Sequence, residues 1–307
     1  YGYRLYDGAK AMIREWAPSQ SHNLSISGTS GKTSYNVGLG YLRQSGMSRT
    51  AQHDDFTRYN SSISVTSNLN KFLSIRASSI FSDRNKRYPG VGTTVADPWL
   101  FPIGVKENGN DLREAAYELR AANTDNLRNR YFNVNLGATV NITKNWEVKF
   151  DYTYDQRTQE KNSSNPQFRG GQMWYSPTEW FGEDGSRVYV NEAGQVVDPS
   201  ADGSMPGYCF PVQDYFSNVT STSITRYRYA NTTNTINAYT TYNLLLGSGG
   251  QHDIKIMAGL NRVTTTWESV EASKTNLLNI DNPQFNTATG DQFADGNTNW
   301  DSQLGFF

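Results

Sequence analysis

The stretch FNVNLGATVNITKNWEVKFDYTYD, residues 132–155, limits the possible folds more than any other part of the chain. Phe132, Val134, Leu136, Ala138, Val140 and Ile142 alternate with Asn133, Asn135, Gly137, Thr139 and Asn141. After the break at TKN, Trp146, Val148, Phe150, Tyr152 and Tyr154 alternate with Glu147, Lys149, Asp151, Thr153 and Asp155. A strict period of two places one residue set on each face of a strand, whereas a helix would need a period near 3.6. Two such runs joined by a tight turn predict an antiparallel hairpin with one apolar and one polar face.

The same alternation recurs along the chain. Candidate strands fall at 22–28, 32–44, 55–67 and 71–83, then at 130–142 and from Trp146 onward, and finally at 227–245 and 252–267. Leu24 and Ile26, Tyr59 with Ile63 and Val65, Leu73 with Ile75, Ala77 and Phe81, and Ile254 with Ile256, Ala258 and Leu260 mark the apolar faces. The joins after the odd-numbered strands are short (TSG, NLN, TKN, GSGG), and those after the even-numbered ones are longer, up to 84–129 and 158–226. Tight turns at one end and long loops at the other describe an outer-membrane barrel. A soluble sandwich has no reason to sort its connections in this way.

Composition narrows the remaining options. Mean hydropathy is −0.67, and no apolar run reaches the length of a membrane-spanning helix. That excludes a helical membrane protein but not a barrel, whose lipid-facing residues are only every second one. The opening residues YGYRLYDGAK contain no apolar signal-peptide core. Aromatics make up 13% of the 307 residues, which argues against disorder. A net charge of −1 gives no field that would attract nucleic acid.

Several motifs invite chemical readings and do not sustain them. Gly31, Lys32 and Thr33 resemble the end of a phosphate-binding loop, but the glycine such a loop needs is replaced by Ile26, and a strand pattern follows instead of a helix. A tight hairpin turn is expected there. His22, His53 and His252 have no ligand neighbours at zinc spacing. Cys209 is the only cysteine, which rules out an intrachain disulfide. There is no G-x-S-x-G nucleophile elbow, and Glu183 with Asp184 reads as solvated loop charge. No residue is expected to be catalytic. The Asp/Asn/Gly-rich stretch 281–301 could offer oxygen ligands to calcium but lacks EF-hand spacing.

Aromatic placement carries more information. Tyr35 with Tyr41, and Trp146 with Tyr154, bracket apolar residues over roughly 20–27 Å at a rise of about 3.4 Å per residue, as two interfacial girdles around a lipid-facing band would. Arg76, Asn135, Lys149 and Asp151 would then line an aqueous lumen. In the long loop 158–226, Trp174, Tyr175 and Trp180 cluster among turn formers, either to contact a substrate or partner or to pack the loop on itself. Residues 111–125 suggest a short helix through Leu112, Ala115, Ala116 and Leu119.

The run APSQSHNLSISGTSGKTSYNVGLGYLRQSGM at 17–47 resembles the opening of the barrel in SusC/RagA-type TonB-linked outer-membrane proteins of Bacteroides-like bacteria. FTRYNSSISVTSNLNKFLSIRASSIFS, RYPGVGTTVADPW, FNVNLGATVNITKNWEVKFDYTY and GGQHDIKIMAGLN are similar to the same family in the same order. The resemblance implies an all-β transmembrane antiparallel β-barrel, here about eight strands of a roughly 22-stranded barrel. It implies 1–21 as the passage from plug to barrel, and 22–307 as barrel with long loops at 84–129, 158–226 and 268–307. It also implies TonB-dependent import of oligosaccharides or peptides, a SusD-like surface lipoprotein as lid, and coupling to TonB-ExbB-ExbD through an N-terminal plug region that this sequence lacks. Outer-membrane lipid surrounds such a barrel, and the family needs no cofactor. A small closed barrel of eight strands and a soluble all-β glycan-binding module are the competing architectures.

Overall fold

The structure, a computed structural model, describes residues 13–90, 122–165, 170–171, 178–209, 212–213, 221–247 and 252–307. Nine long strands dominate it: β1 (Ser19–Ser30), β2 (Thr33–Ser45), β3 (Asp55–Asn68), β4 (Leu73–Pro89), β5 (Thr124–Asn141), β6 (Trp146–Asn165), β7 (Ser223–Leu246), β8 (His252–Thr275) and β9 (Gln292–Phe306). They form one sheet in sequence order, every neighbour antiparallel. Because consecutive strands pair, each connection is a hairpin, and loops must alternate between the two ends of the sheet. The chain is all-β and forms part of a barrel wall.

Two expectations need correction. The sheet has nine strands, not eight, because Gln292–Phe306 pairs with β8 along its whole length, from Lys274 opposite Gln292 to Leu260 opposite Phe306. The sheet also runs linearly from β1 to β9 without closing, so these residues do not make the small closed barrel. Several strands extend further than their alternation indicated: β4 continues to Pro89, β5 begins at Thr124, β6 continues to Asn165 and β8 to Thr275. The helix suggested around Leu112 and Leu119 lies outside the described residues.

The connections sort by length as the sequence indicated. Residues 31–32, 69–72, 142–145 and 247–251 join strands at one end, while 46–54, 90–123, 166–222 and 276–291 do so at the other. Gly31 supplies the backbone with φ 58° at the first turn, a conformation that costs side-chain-bearing residues free energy. The Gly-Lys-Thr sequence is therefore a hairpin turn, with the Lys32 carbonyl accepting from Asn68 N at 3.0 Å.

The sheet has almost no interior of its own. Among the described residues, the buried hydrophobics are Ala122, Ile224, Ala230, Leu277 and Ala288, and the one cluster, Ile224 with Leu277, Ala288 and Phe285, lies by the connection between β8 and β9. A sandwich would bury one face of each sheet against the other. Here Leu24, Ile26, Leu39, Ile63, Leu136, Phe150 and Ile256 remain exposed.

Within the longest connection, short strands build a compact hairpin unit over 178–209. Tyr189–Val190 pairs with both Val196–Val197 and Met205–Pro206, and Thr178–Glu179 pairs with Tyr208–Cys209.

Candidate functional site

Register determines which side chains share a face, because directly opposed residues of an antiparallel pair project the same way. One row runs Tyr35, Val65, Ala77, Leu136, Tyr152, Ile236; another runs Ile75, Ala138, Phe150, Ala238, Leu260, Phe306. The intervening residues form a polar row, Ser27, Asn36, Ser64, Ser78, Asn135, Thr153, Thr235. The two faces thus differ sharply in chemistry across the sheet.

The polar face is knit together by side chains. Arg76 donates to Asp151 Oδ1 at 2.7 Å, and Gly137 lies between them in the register on β5. Thr153 Oγ1 donates to Asn135 Oδ1 at 2.7 Å, and Asn135 Nδ2 donates to Asn133 Oδ1 at 2.6 Å. Lys149 pairs with Glu147 at 3.0 Å and lies over the Tyr239 ring at 5.8 Å. Asn261 donates to Asn237. Arg76, Asn135, Lys149 and Asp151, all expected on one face, are indeed brought to one surface, a hydrophilic lining of amides, hydroxyls and paired charges.

Toward the end with the long connections, the same face changes character. Arg58 stands directly opposite Arg84, and Phe56 opposite Lys86. With Leu127 and Asn129 these residues line a cavity of about 290 Å³. Periodicity marked Arg58 as a polar-face residue, but sequence alone did not bring Arg84 and Lys86 beside it, since that depends on the β3–β4 register.

The apolar face carries the aromatic residues expected to act as girdles. Tyr41 lies between His22, stacked at 6.0 Å with 16° between planes, and Tyr59 at 5.2 Å. The Tyr35 ring covers Gly28, where an added Cβ would come within 2.8 Å of the ring carbon Cζ. Trp146 Nε1 donates to Thr240 Oγ1 at 2.7 Å, and Tyr154 meets Phe132 edge-on at 6.2 Å. The Tyr35 row reaches β6 at Tyr152 and the Tyr41 row reaches it at Thr158. Tyr152 lies further from the short-turn end than Trp146, and Thr158 further than Tyr154, the common sense of offset that tilted barrel strands produce.

Beyond the apolar band, on the same face, ion pairs take over. Asp55 accepts from Arg87 at 2.9 and 2.5 Å, Asp83 from Arg128 at 3.0, 3.2 and 2.5 Å, and Glu160 from Arg130.

Of the loop aromatics, Trp174 and Tyr175 lie outside the described residues. Trp180 is half-buried; its backbone pairs with Gly207 and Val188 at 2.9 Å each. Its ring lies beside Gly207, where a Cβ would approach it to 3.2 Å, so part of its surface packs its own loop. Cys209 is a free thiol, 3.9 Å from Thr178 Oγ1. Among the described residues, no group of three or more His, Cys, Asp or Glu side chains could hold a metal ion, and 292–301 of the stretch considered for calcium are part of β9.

Comparison with known proteins gives a likeness of fold. The chain is similar to solved structures described as the RagAB peptide importer in the "closed-closed" state (TM-score 0.63, 15% identity) and in the "open-open" state (TM-score 0.65, 16% identity). It is also similar to one described as the RagAB peptide transporter (TM-score 0.63, 16% identity). These likenesses cover 100%, 100% and 98% of this chain, but only 32%, 32% and 30% of the respective structures. The chain therefore spans about a third of their length. No protein-family model and no curated protein matches it.

Proposed function

We propose that the chain forms part of the wall of an outer-membrane importer for large nutrients, peptides or oligosaccharides, driven through TonB and capped by a SusD-like lipoprotein. The observation that carries this reading is the apolar face left uncovered across the sheet. Burying apolar area yields about 25 cal/mol per Å², so a face displaying Leu24, Ile26, Ile63, Leu136, Phe150, Ile256 and Leu304 to solvent needs an apolar environment, and the described residues offer no second layer to supply one. Hydrocarbon on that face and water on the other match a transmembrane barrel strand. Backbone groups in lipid must be satisfied internally, which the antiparallel ladders achieve everywhere except at the β1 and β9 edges.

Strand length supports the same picture. About ten tilted residues cross a bilayer core, and β7 and β8 have 24 each, so both would project well beyond the membrane toward the long connections. The likeness to structures described as a peptide importer favours transport and, between the two cargo classes, peptides. In this reading Trp180, together with Trp174 and Tyr175, contacts cargo or lid, and Tyr35, Tyr41, Trp146 and Tyr154 sit at the two interfaces.

The test is uptake by the complete transporter in its native outer membrane, with a labelled oligopeptide and a labelled oligosaccharide as probes. Accumulation that stops on adding a protonophore, and co-purification of a surface lipoprotein, are the expected results. Uptake indifferent to the protonophore would reject energised import and leave a passive pore.

A further inference from the structure

Like charges placed directly opposite each other across a strand pair are destabilising unless something neutralises them. Arg58 and Arg84 are so placed, and Lys86 is two residues further along the same strand face. The ion pairs formed among the described residues include neither arginine. Among the described residues, Arg58 Nε is shielded from solvent with no hydrogen-bond partner, and Lys86 lies over the Tyr88 ring at 5.1 Å.

Among the described residues, the neighbouring rows of the polar face bring no acid directly opposite these cations. Following the register from Arg58 and Arg84, the row continues through Asn129, Gln159, Tyr229, Ser269 and Asn297 without an acid. The row on one side, Asn60, Ser82, Tyr131, Arg157, Asn231, adds another cation, whose own acid, Asp155 at 3.5 Å, is thereby engaged. The row on the other side adds Lys161 and meets its first acids, Glu271 and Asp295, only on β8 and β9. Asp125 lies closer, but it is buried and accepts from the Ser164 amide at 3.4 Å. On the opposite face, by contrast, Asp55, Asp83 and Glu160 each hold an arginine.

We propose that Arg58, Arg84 and Lys86 form a carboxylate-binding site by which the wall takes hold of acidic cargo as it enters from the long-connection end. This rests on the reading of the polar face as the transport lumen and adds a cargo class to it. Guanidinium groups fit carboxylates through paired N–H donors, and the about 290 Å³ cavity that these side chains line has room for a carboxylate-bearing group. The flanking Phe56 and Leu127 would lower the local dielectric and strengthen the attraction. The carboxylate could belong to an acidic peptide side chain or to a uronic acid, and the experiment separates the two.

Equilibrium binding to the complete purified transporter is measured with two matched pairs: an Asp-containing peptide against its Asn counterpart, and an oligogalacturonide against its methyl ester. Charge-assisted contacts of this kind predict that the wild type prefers the acidic member of one pair by about tenfold, and the pair that separates identifies the cargo. The preference should shrink with added salt and fall toward unity in Arg84→Gln/Lys86→Gln. It should persist in Lys255→Gln, which changes a cation of the same face near the short-turn end. Equal affinities within both pairs would overturn the proposal while leaving import intact. A preference unchanged in the double variant would overturn it as well, as would a drop in melting temperature alone, because the cations would then be pairing with another part of the protein. Wild-type protein that binds none of the four probes would also overturn the proposal, whereas the import reading falls only with protonophore-indifferent uptake.

Discussion

Gly137 is the point at which a single residue decides a contact between strands that are not neighbours. Arg76 on β4 reaches Asp151 on β6 across β5, and a Cβ at position 137 would lie 2.7 Å from Asp151 Oδ1 and 3.0 Å from Arg76 Nη2. Only the missing side chain leaves that path open. Gly137→Val should break the ion pair, and because the Arg76 side chain is 62% exposed the electrostatic loss is small, about 0–1 kcal/mol. Comparing denaturation of Gly137→Val with that of Gly137→Val/Arg76→Gln would check this; equal stabilities are expected, and a further loss in the double variant would mean the pair survives the valine. In the long connection, Asp184 accepts from Ser186 Oγ at 2.6 Å and N at 3.0 Å, and Asp198 from Ser200 Oγ at 2.5 Å and N at 2.9 Å. These hydroxyl and amide donors hold both carboxyls below the usual range. A lowered folded pKa means the support for these turns is fully present above the unfolded pKa and is lost as pH falls through the lowered value. Carboxyl NMR titration should therefore give midpoints below about 3.9 for both residues, and normal midpoints would mean the turns do not hold in solution. In the sequence Asp184 read only as solvated loop charge, although its Asp-x-Ser spacing, shared by Asp198, is a turn signal. The room above Gly137 was not visible there, because it depends on the register of three strands.

The strand extensions illustrate what alternation can reveal and what it cannot. Within the apolar band, the period of two located eight strands, because one face had to differ from the other. Toward the long connections both faces are polar, as in RNKRYP at the end of β4 and TDNLRNR at the start of β5, so no periodicity remained to be read. The full length of the ninth strand was not legible for a related reason. On its apolar side Trp300, Leu304 and Phe306 are interrupted by Ser302, Thr298 and Gly296, and its pairing with β8 cannot be inferred from that pattern. In the extensions, cross-strand charges take the place of apolar neighbours. Asp83, on β4, bonds Arg128 diagonally on β5, and its side chain is only 14% exposed, so the bond is shielded more than a surface pair. Asp83→Ala should speed amide exchange in 83–89 and 124–130 while leaving 132–141 protected. Uniform exchange along β5 would indicate that the extension opens together with the rest of the strand, with no separate role for the ion pairs.

At the scale of the whole molecule, the described residues form a wall with two surfaces and almost no interior, so its stability depends on what each surface touches. That is why mean hydropathy is low at −0.67 although whole rows of side chains are apolar. Only every second residue of each strand has to be apolar, and the polar extensions dilute even those. Ile63 and Ser64 are consecutive residues of β3 on opposite faces, Ile63 between Val37 and Ser79, Ser64 between Asn36 and Ser78. Both are exposed in the sheet, so in water an arginine would cost little at either position. If the apolar face meets hydrocarbon, the two sites part company. An arginine at a lipid-facing position near the bilayer midplane costs about 2–4 kcal/mol, while a substitution facing the lumen leaves stability largely unchanged. Equilibrium unfolding of the complete protein from phospholipid vesicles, comparing Ile63→Arg with Ser64→Arg, therefore reads the identity of each face directly. A large loss for Ile63→Arg alone is the expected result. Equal small losses would mean that protein, rather than lipid, covers the apolar face, and the lumen assignment of the Arg58, Arg84 and Lys86 surface would lose its basis with it.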